Sequence, residues 1–404
     1  MTDAVTAPSF PMARTCPMRP PPEYAPLRAQ RPIAPVTMPN GQRAWLVTKY
    51  EYARALLADR RITADRLHPA FPKRIDVDHE ALEENHLIGQ SMVSMDPPEH
   101  TARRRMVISE FSVRRVRTMR PRIQQIVDGR IDAMLAAGGP LDLVRMLSLP
   151  VSSLVMCELL GVPAEDRPRF QRLTAVLVAA AGTQEQLETA GNELNAYLDG
   201  LVTAQQSAPS EGLLSRLITR NRRTGAMDHT DLVNMASLLL LAGYETTANM
   251  ISLGATALLA HPDQLARIRE NPKSLPQGIE ELLRYFSIVD TATSRVALED
   301  IEVGGMTIRA GEGLIVATSA ANWDADVFAE PERLDLSRPG RRHVAFGFGV
   351  HQCLGQNLAR VELEIVFGTL FRRIPGLRLT VPATELPYKE TDLIYGIHEV
   401  PVTW

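Results

Sequence analysis

The segment from Met235 to Ala260 constrains the fold most, because it is long and apolar yet carries Glu245, Thr246, Thr247 and Asn249 near its middle. In a bilayer a central carboxylate costs roughly 2.5–3.5 kcal/mol, and no aromatic belt flanks this segment to offset it. The same residues suit a helix buried in the core of a large body. A chain of 404 residues can bury such a core. Length alone suggests two or three domains, but no Gly/Ser linker, charge block or repeat separates them. The net charge of −3 argues against a dedicated nucleic-acid binder. Residues Met1 to Pro22 lack the continuous apolar core of a secretory signal or anchor, so a soluble, cytoplasmic protein without membrane association is expected.

Chemistry concentrates near the other end. Phe346-Gly347-Phe348-Gly349-Val350-His351-Gln352-Cys353-Leu354-Gly355 places a cysteine in a glycine-rich loop directly before a helical stretch, Gln356 to Arg372. A thiol at a helix start meets partial positive charge and unpaired N–H groups, which favour its thiolate. Gly347, Gly349 and Gly355 remove side chains that would keep a flat ligand or the backbone from the sulfur. Such a loop can offer a soft anionic sulfur to a metal. The other cysteines are Cys157, in the apolar run Leu154-Val155-Met156-Cys157, and Cys16, in a proline-rich segment. The first reads as core filling and the second as inert. Three cysteines are too few for a disulfide scaffold. Zinc is excluded because a structural site takes four ligands and no second Cys/His pair exists.

Along the chain, a short helix over Pro22 to Arg28 precedes an extended pair around Val36 to Val47, turning at Asn40-Gly41. Helical periodicity dominates from Tyr50 to about Arg284, interrupted by a long loop, Ala70 to Ser94. Short β-like runs follow, including Ile301 to Gly305 and Gly313 to Val316. The expectation is a helix-rich body with small sheets at one side.

Three further motifs are ambiguous alone. In Ala242-Gly243-Tyr244-Glu245-Thr246-Thr247, small residues open a gap before an acid–alcohol pair; a proton-relaying notch and a packing notch with a paired carboxylate fit equally well. Glu281 and Arg284 stand at i and i+3, as on countless exposed helices. Asp96-Pro97-Pro98-Glu99-His100 has the proline and acids of a helix start, with Arg104 one turn beyond His100. Between Thr101 and Ile123 lie eight arginines and one acid, Glu110, a pattern that suits a solvated face, an anion site or a docking surface.

In this order and spacing, D-P-P-E-H, A-G-x-E-T-T, E-x-x-R and F-G-x-G-x-H-x-C-x-G closely resemble the bacterial cytochrome P-450 family of haem-thiolate monooxygenases, over about Cys16 to Trp404. The resemblance implies a mainly α fold with small β-sheets, as one domain over 1–404 with residues 1–15 a loosely packed tail. The haem would lie between a long central helix and a C-terminal helix preceded by the cysteine loop. Haem b would be the cofactor and Cys353 its proximal iron ligand. His100, Arg104, Arg295 and His351 match propionate partners, and two carboxylates beneath an apolar group need such cations. Ala242, Phe346, Leu354 and Gly355 would also line the haem, with Phe346 and Leu354 shielding the sulfur. Glu245 and Thr246 match the acid–alcohol pair that delivers protons to dioxygen. Glu281 and Arg284 match a structural pair, which Arg338, rather than Arg333, should join. Leu238, Ala242, Val289 and Ile394 are candidate substrate walls, along with the loop 70–94, the segment 170–184 and the stretch 288–292.

Three departures from the family pattern stand out. Tyr244 replaces a frequent His, Trp323 replaces the arginine of an A-N-R-D stretch, and Leu334 replaces an aromatic. The expected activity is hydroxylation or epoxidation of a bulky lipophilic small molecule, using O2 and two electrons. The chain has no flavin, nicotinamide or iron–sulfur signature, so the electrons would come from a separate ferredoxin and ferredoxin reductase, docking on the arginine-rich helix of a monomer. Alternatives are a peroxygenase, isomerase or nitric-oxide-type reductase on the same cofactor, or a haem-free helical ligand-binding protein.

Overall fold

The structure is a computed structural model and describes residues 7–73, 91–178, 184–290, 293–390 and 392–404. In chain order the helices are α1 Tyr24–Gln30, α2 Tyr50–Ala58, α3 Glu99–Val107, α4 Val113–Ala137, α5 Leu149–Leu160, α6 Arg167–Val178 and α7 Gln184–Ser207. They continue as α8 Leu213–Thr224, α9 His229–Ala260, α10 Pro262–Glu270, α11 Leu275–Phe286, α12 Thr318–Ala321 and α13 Gln356–Arg373. The strands are β1 Ile33–Thr37, β2 Arg43–Val47, β3 Ile62–Thr63, β4 Leu141–Asp142, β5 Ser294–Ala297, β6 Ile301–Val303, β7 Met306–Ile308, β8 Gly313–Val316, β9 Arg378–Leu379 and β10 Pro401–Thr403. The fold is thus mainly α with small sheets.

Two compact units make up the chain. The first combines Met1–Asp96, Pro276–Cys353 and Tyr388–Gly396; the second combines Pro97–Leu275, Leu354–Pro387 and Ile397–Trp404.

The first unit is built on a five-stranded sheet in the order β1-β2-β8-β5-β3. The β1–β2 hairpin pairs Ile33 with Val47 and turns near Gly41, whose φ of 81° is open to glycine without strain. Parallel pairing of β2 with β8 and antiparallel pairing of β8 with β5 bury Leu46, Val47, Leu314, Ile315 and Val316 completely. The tail expected to be loosely packed is held from residue 7 onward. Phe10 is buried and its N–H donates to the Thr37 carbonyl at 2.9 Å, adding a short edge contact to the hairpin. Residues 1–6 lie outside the described part.

The second unit is organised around α9, the long apolar segment of the sequence. Its start is fixed by a capping box: Asp228 accepts from the Asp231 N–H at 2.7 Å, and Asp231 accepts from the Asp228 N–H at 3.0 Å. Helices α5, α7 and α13 pack against it. Gly243 permits the approach of α5, since a Cβ there would overlap Met156. Polar groups inside this apolar packing are partly matched, as where Ser252 donates to Ser148 at 2.9 Å. No described helix is long and apolar enough to cross a membrane.

Candidate active site

The cysteine loop lies in the first unit as far as Cys353 and is shaped by backbone bonds. The Val344 N–H donates to Asn322 Oδ1 at 2.8 Å, Gly347 N–H to the Val344 carbonyl at 2.9 Å, and Cys353 N–H to the Phe346 carbonyl at 2.8 Å. Gly347 and Gly349 both take positive φ, 68° and 73°. At Gly349 a Cβ would overlap the Leu57 carbonyl oxygen, so no other residue fits. Gly355 differs: its backbone is ordinary, and no atom lies within 4 Å of where its Cβ would stand. The loop ends at Gly355, the N-cap of α13. Cys353 is half-buried and forms no disulfide. Ala345, Phe346, Phe348 and Leu354 are also only half-buried, and His351 likewise. Protein thus leaves an apolar surface around the sulfur partly uncovered, as a flat apolar group seated there requires.

Cationic side chains in the same unit point the same way. Arg295 of β5 is 8% exposed, and its Nη1 donates to the Ser294 carbonyl at 2.7 Å. Burial, the neighbouring Arg66 charge and a weaker opposing effect from Asp96 leave its pKa at about 10. Burial also lowers Arg66. Neither guanidinium has a carboxylate partner among the described residues. A buried cation with no carboxylate in direct contact is expensive, so a group carrying carboxylates fits here. Arg66 was not foreseen: no motif marks it, and it becomes visible only through the pairing of β3 with β5.

In the second unit, His100 is buried in α3 and Arg104, one turn on, is half-buried. The expected helix starts at Glu99, and Asp96 stands in the loop before it. The Asp96 carboxylate accepts from the Ala64 N–H at 3.0 Å and from the Thr63 hydroxyl, fastening β3. The middle of α9 breaks an otherwise buried helix. Ala242 is exposed, and Leu238, Leu241, Glu245 and Thr246 are half-buried. Thr246 Oγ1 donates to the Ala242 carbonyl at 2.6 Å, the back-bond that loosens a helix locally. The expected gap therefore opens at Ala242, while Met156 fills the side of Gly243. Tyr244 turns into the packing, where burial outweighs a bond to Thr174 and pushes its pKa up to about 12.

The E-x-x-R pair is fully buried in the first unit. Arg284 Nε and Nη2 donate to Glu281 at 2.7 and 2.9 Å, and Arg284 also reaches the Asn322 and Pro331 carbonyls at 2.8 and 2.9 Å. Arg338 joins them, while Arg333 pairs with Glu330 at 3.6 Å. Trp323 is buried, its Nε1 donating to the Tyr285 carbonyl at 3.0 Å. Of the candidate substrate walls, Leu238 and Ala242 lie on α9, whereas Val289 and Ile394 are half-buried in the first unit. Residues 74–90, 179–183 and 291–292 of the three candidate pocket segments lie outside the described residues.

The sequence model described as Cytochrome P450 matches residues 181–387. Pentalenic acid synthase of Streptomyces avermitilis is 49% identical over 99% of this chain and 98% of its own. The chain belongs to the cytochrome P450 family. Vitamin D3 dihydroxylase of Streptomyces griseolus is 48% identical across 100% of both chains. Among solved structures, cytochrome P450 MoxA from Nonomuraea recticatena superposes with a TM-score of 0.93 at 52% identity, covering 98% of each chain. As a bacterial cytochrome P450 the protein is a haem-thiolate monooxygenase. The partly uncovered apolar loop at Cys353 and the guanidinium of Arg295, without a carboxylate partner among the described residues, fit that cofactor.

Proposed function

We propose that this cytochrome P450 hydroxylates or epoxidises a bulky lipophilic metabolite in the cytoplasm, drawing electrons from a separate ferredoxin and its reductase. The observation that carries the reading is the glycine-pinned loop holding Cys353 half-exposed ahead of α13. Relatives support the substrate class by name: one makes pentalenic acid, one dihydroxylates vitamin D3, and one hydroxylates the C21 methyl of mycinamicin VIII.

Cys353 would hold the cofactor iron through its sulfur, and His100, Arg104, Arg295 and His351 would pair with the propionates. Bound haem supplies the activation of dioxygen. Phe346 and Leu354 keep water from the sulfur. The exposed step at Ala242, with Leu238 beside it, gives an apolar substrate a surface to lie on. Thr246 Oγ1, anchored on the Ala242 carbonyl, passes protons that Glu245 takes from solvent.

Charge marks the donor surface. On α3 and α4, Arg103 pairs with Asp231 at 2.6 Å, Arg120 with Glu364 at 2.8 Å and Arg122 with Glu158 at 3.0 Å. Arg105, Arg114 and Arg117 are exposed without ion-pair partners among the described residues. An acidic ferredoxin complements that residue of positive charge.

Thr246→Ala tests the relay. Turnover driven by ferredoxin should uncouple while turnover driven by peroxide persists; full coupling in the variant would reject the role of Thr246.

A further inference from the structure

Residues 8–19 form a strap that runs from the sheet edge of the first unit to the segment carrying Ile394, one of the candidate substrate walls. One end is held on β1, where the Thr37 N–H donates to the Pro8 carbonyl and the Phe10 N–H to the Thr37 carbonyl, both at 2.9 Å. The chain then folds back on itself. Arg14 Nη1 donates to the Arg19 carbonyl at 2.8 Å, and the Arg19 N–H donates to the Cys16 carbonyl at 3.0 Å.

Three contacts join this strap to the segment around Tyr395. The Arg14 guanidinium lies 3.9 Å from the centroid of the Tyr395 ring. The Tyr395 hydroxyl donates to the Pro17 carbonyl at 2.5 Å, and the Tyr388 hydroxyl donates to Met18 Sδ at 3.4 Å. The two tyrosine rings stack on each other, with centroids 5.9 Å apart and planes 11° from parallel. Both tyrosines are buried and Arg14 is half-buried. A cation over an aromatic face holds more strongly there than at an open surface.

Through its backbone, Tyr395 also bears on the substrate walls. Its N–H donates to the Ile288 carbonyl at 2.9 Å. That N–H belongs to the planar peptide joining Ile394 to Tyr395, so one rigid group sets Ile394 against Ile288. Val289 follows directly, and its carbonyl accepts from Thr318 Oγ1 at 3.1 Å. Asp290 accepts from the Tyr24 hydroxyl at 3.1 Å, just beyond the strap. A crevice of about 50 Å³ separates strap from walls, lined among others by Met12, Arg14, Tyr24, Ile288, Asp290 and Leu393. The walls therefore hang on discrete contacts rather than on continuous close packing.

We propose that Arg14 is a positioning residue for substrate selection. By clamping Tyr395 it sets where Ile394 and Val289 stand, and so the width of the space that a bulky lipophilic substrate enters. Arg14 touches no reacting atom itself. The proposal rests on the monooxygenase reading above and adds a residue that tunes substrate size.

The test titrates wild-type holoenzyme, Arg14→Gln and Arg14→Lys with imidazole and with miconazole, following the haem Soret band. Both probes bind iron through an imidazole nitrogen, but miconazole carries a large apolar body that must fit between the walls. Arg14→Gln keeps a donor for the Arg19 carbonyl and loses the cation over the ring. Its Kd for miconazole should change by at least about fivefold, and its Kd for imidazole by less than about twofold. Arg14→Lys keeps the cation and should recover part of the miconazole effect; it carries the test if Arg14→Gln folds poorly, with a smaller shift in the same sense. A purely structural role would lower the melting temperature and leave the ratio of the two Kd values as in wild type, which overturns the proposal. Equal changes for both probes overturn it as well. Wild-type protein whose Soret band does not respond to imidazole overturns the monooxygenase reading, and this proposal with it.

Discussion

Arg338 Nε lies 3.0 Å from Glu281 Oε2, the same oxygen that accepts from Arg284 Nε at 2.7 Å. One carboxylate thus ties α11 to the irregular stretch that follows α12. Arg284 Nη2 also donates to Glu281 Oε1, and the other arginine bonds go to backbone, Arg284 to Asn322 and Pro331, and Arg338 to Ala329, Glu330 and Arg333. Asn322 in turn fixes Val344 at the entrance of the cysteine loop. The network therefore carries the loop's position as well as local stability.

Glu281→Gln leaves two guanidiniums facing a neutral amide in a dry site. Loss of about 3–5 kcal/mol is expected, as for other broken buried ion pairs. Urea unfolding of the variant measures it, and a lower haem content of the purified protein should accompany the loss.

Gly349→Ala should be as harmful as a charge deletion, although it adds one methyl group. The left-handed backbone costs an L residue roughly 1–2 kcal/mol, and the Cβ must also displace the Leu57 carbonyl. Gly355→Ala meets no atom within 4 Å and an ordinary backbone, so its fold should be unaffected. Parallel thermal melts of the two apoproteins check the contrast.

Glu362 on α13 is buried, its Oε2 has no hydrogen-bond partner among the described residues, and burial holds its pKa well above the usual carboxylate range. The folded protein therefore keeps a proton that the unfolded chain has released. Its contribution to stability is complete below the unfolded value, near 4.5, and is lost as pH rises toward the folded one. Glu362→Gln removes that dependence, so the variant should gain on wild type at up to about 1.4 kcal/mol per pH unit within the window. Denaturation of both proteins from pH 5 to 8 tests the sign. A difference that stays constant would contradict it.

Replacing Arg114 and Arg117 with Glu should raise the KM for an acidic ferredoxin at low salt by about tenfold or more, with kcat at saturation little changed. Added salt should shrink the difference, because exposed charges are screened. An unchanged KM would place the donor elsewhere.

How far the sequence alone could be read depended on the range of the interaction. The cysteine loop, the hairpin at Gly41 and the acid–alcohol pair are encoded within a few residues, and their local geometry follows from glycine placement and side-chain reach. Arg338 was accessible only through the family resemblance, which asks for a further arginine from the irregular stretch; no local pattern marks it. Arg66 was not, since its significance depends on β3 meeting β5 across more than two hundred residues of chain. The role of Asp96 was hidden for the same reason: the loop it stands in leads into a helix as the motif indicates, while its oxygens are taken by Thr63 and Ala64 far back in the chain. Phe10 lay in a segment of no periodicity, and its burial comes from docking on the hairpin.

The account depends above all on the sulfur of Cys353 as the iron ligand, and the reduced carbon monoxide difference spectrum reads that bond directly. Wild-type protein should give the strongly red-shifted Soret band of a thiolate-ligated haem, and Cys353→Ser should lose it while retaining the fold. A wild-type band at the position of histidine-ligated haem, or a red-shifted band that survives in Cys353→Ser, would contradict it.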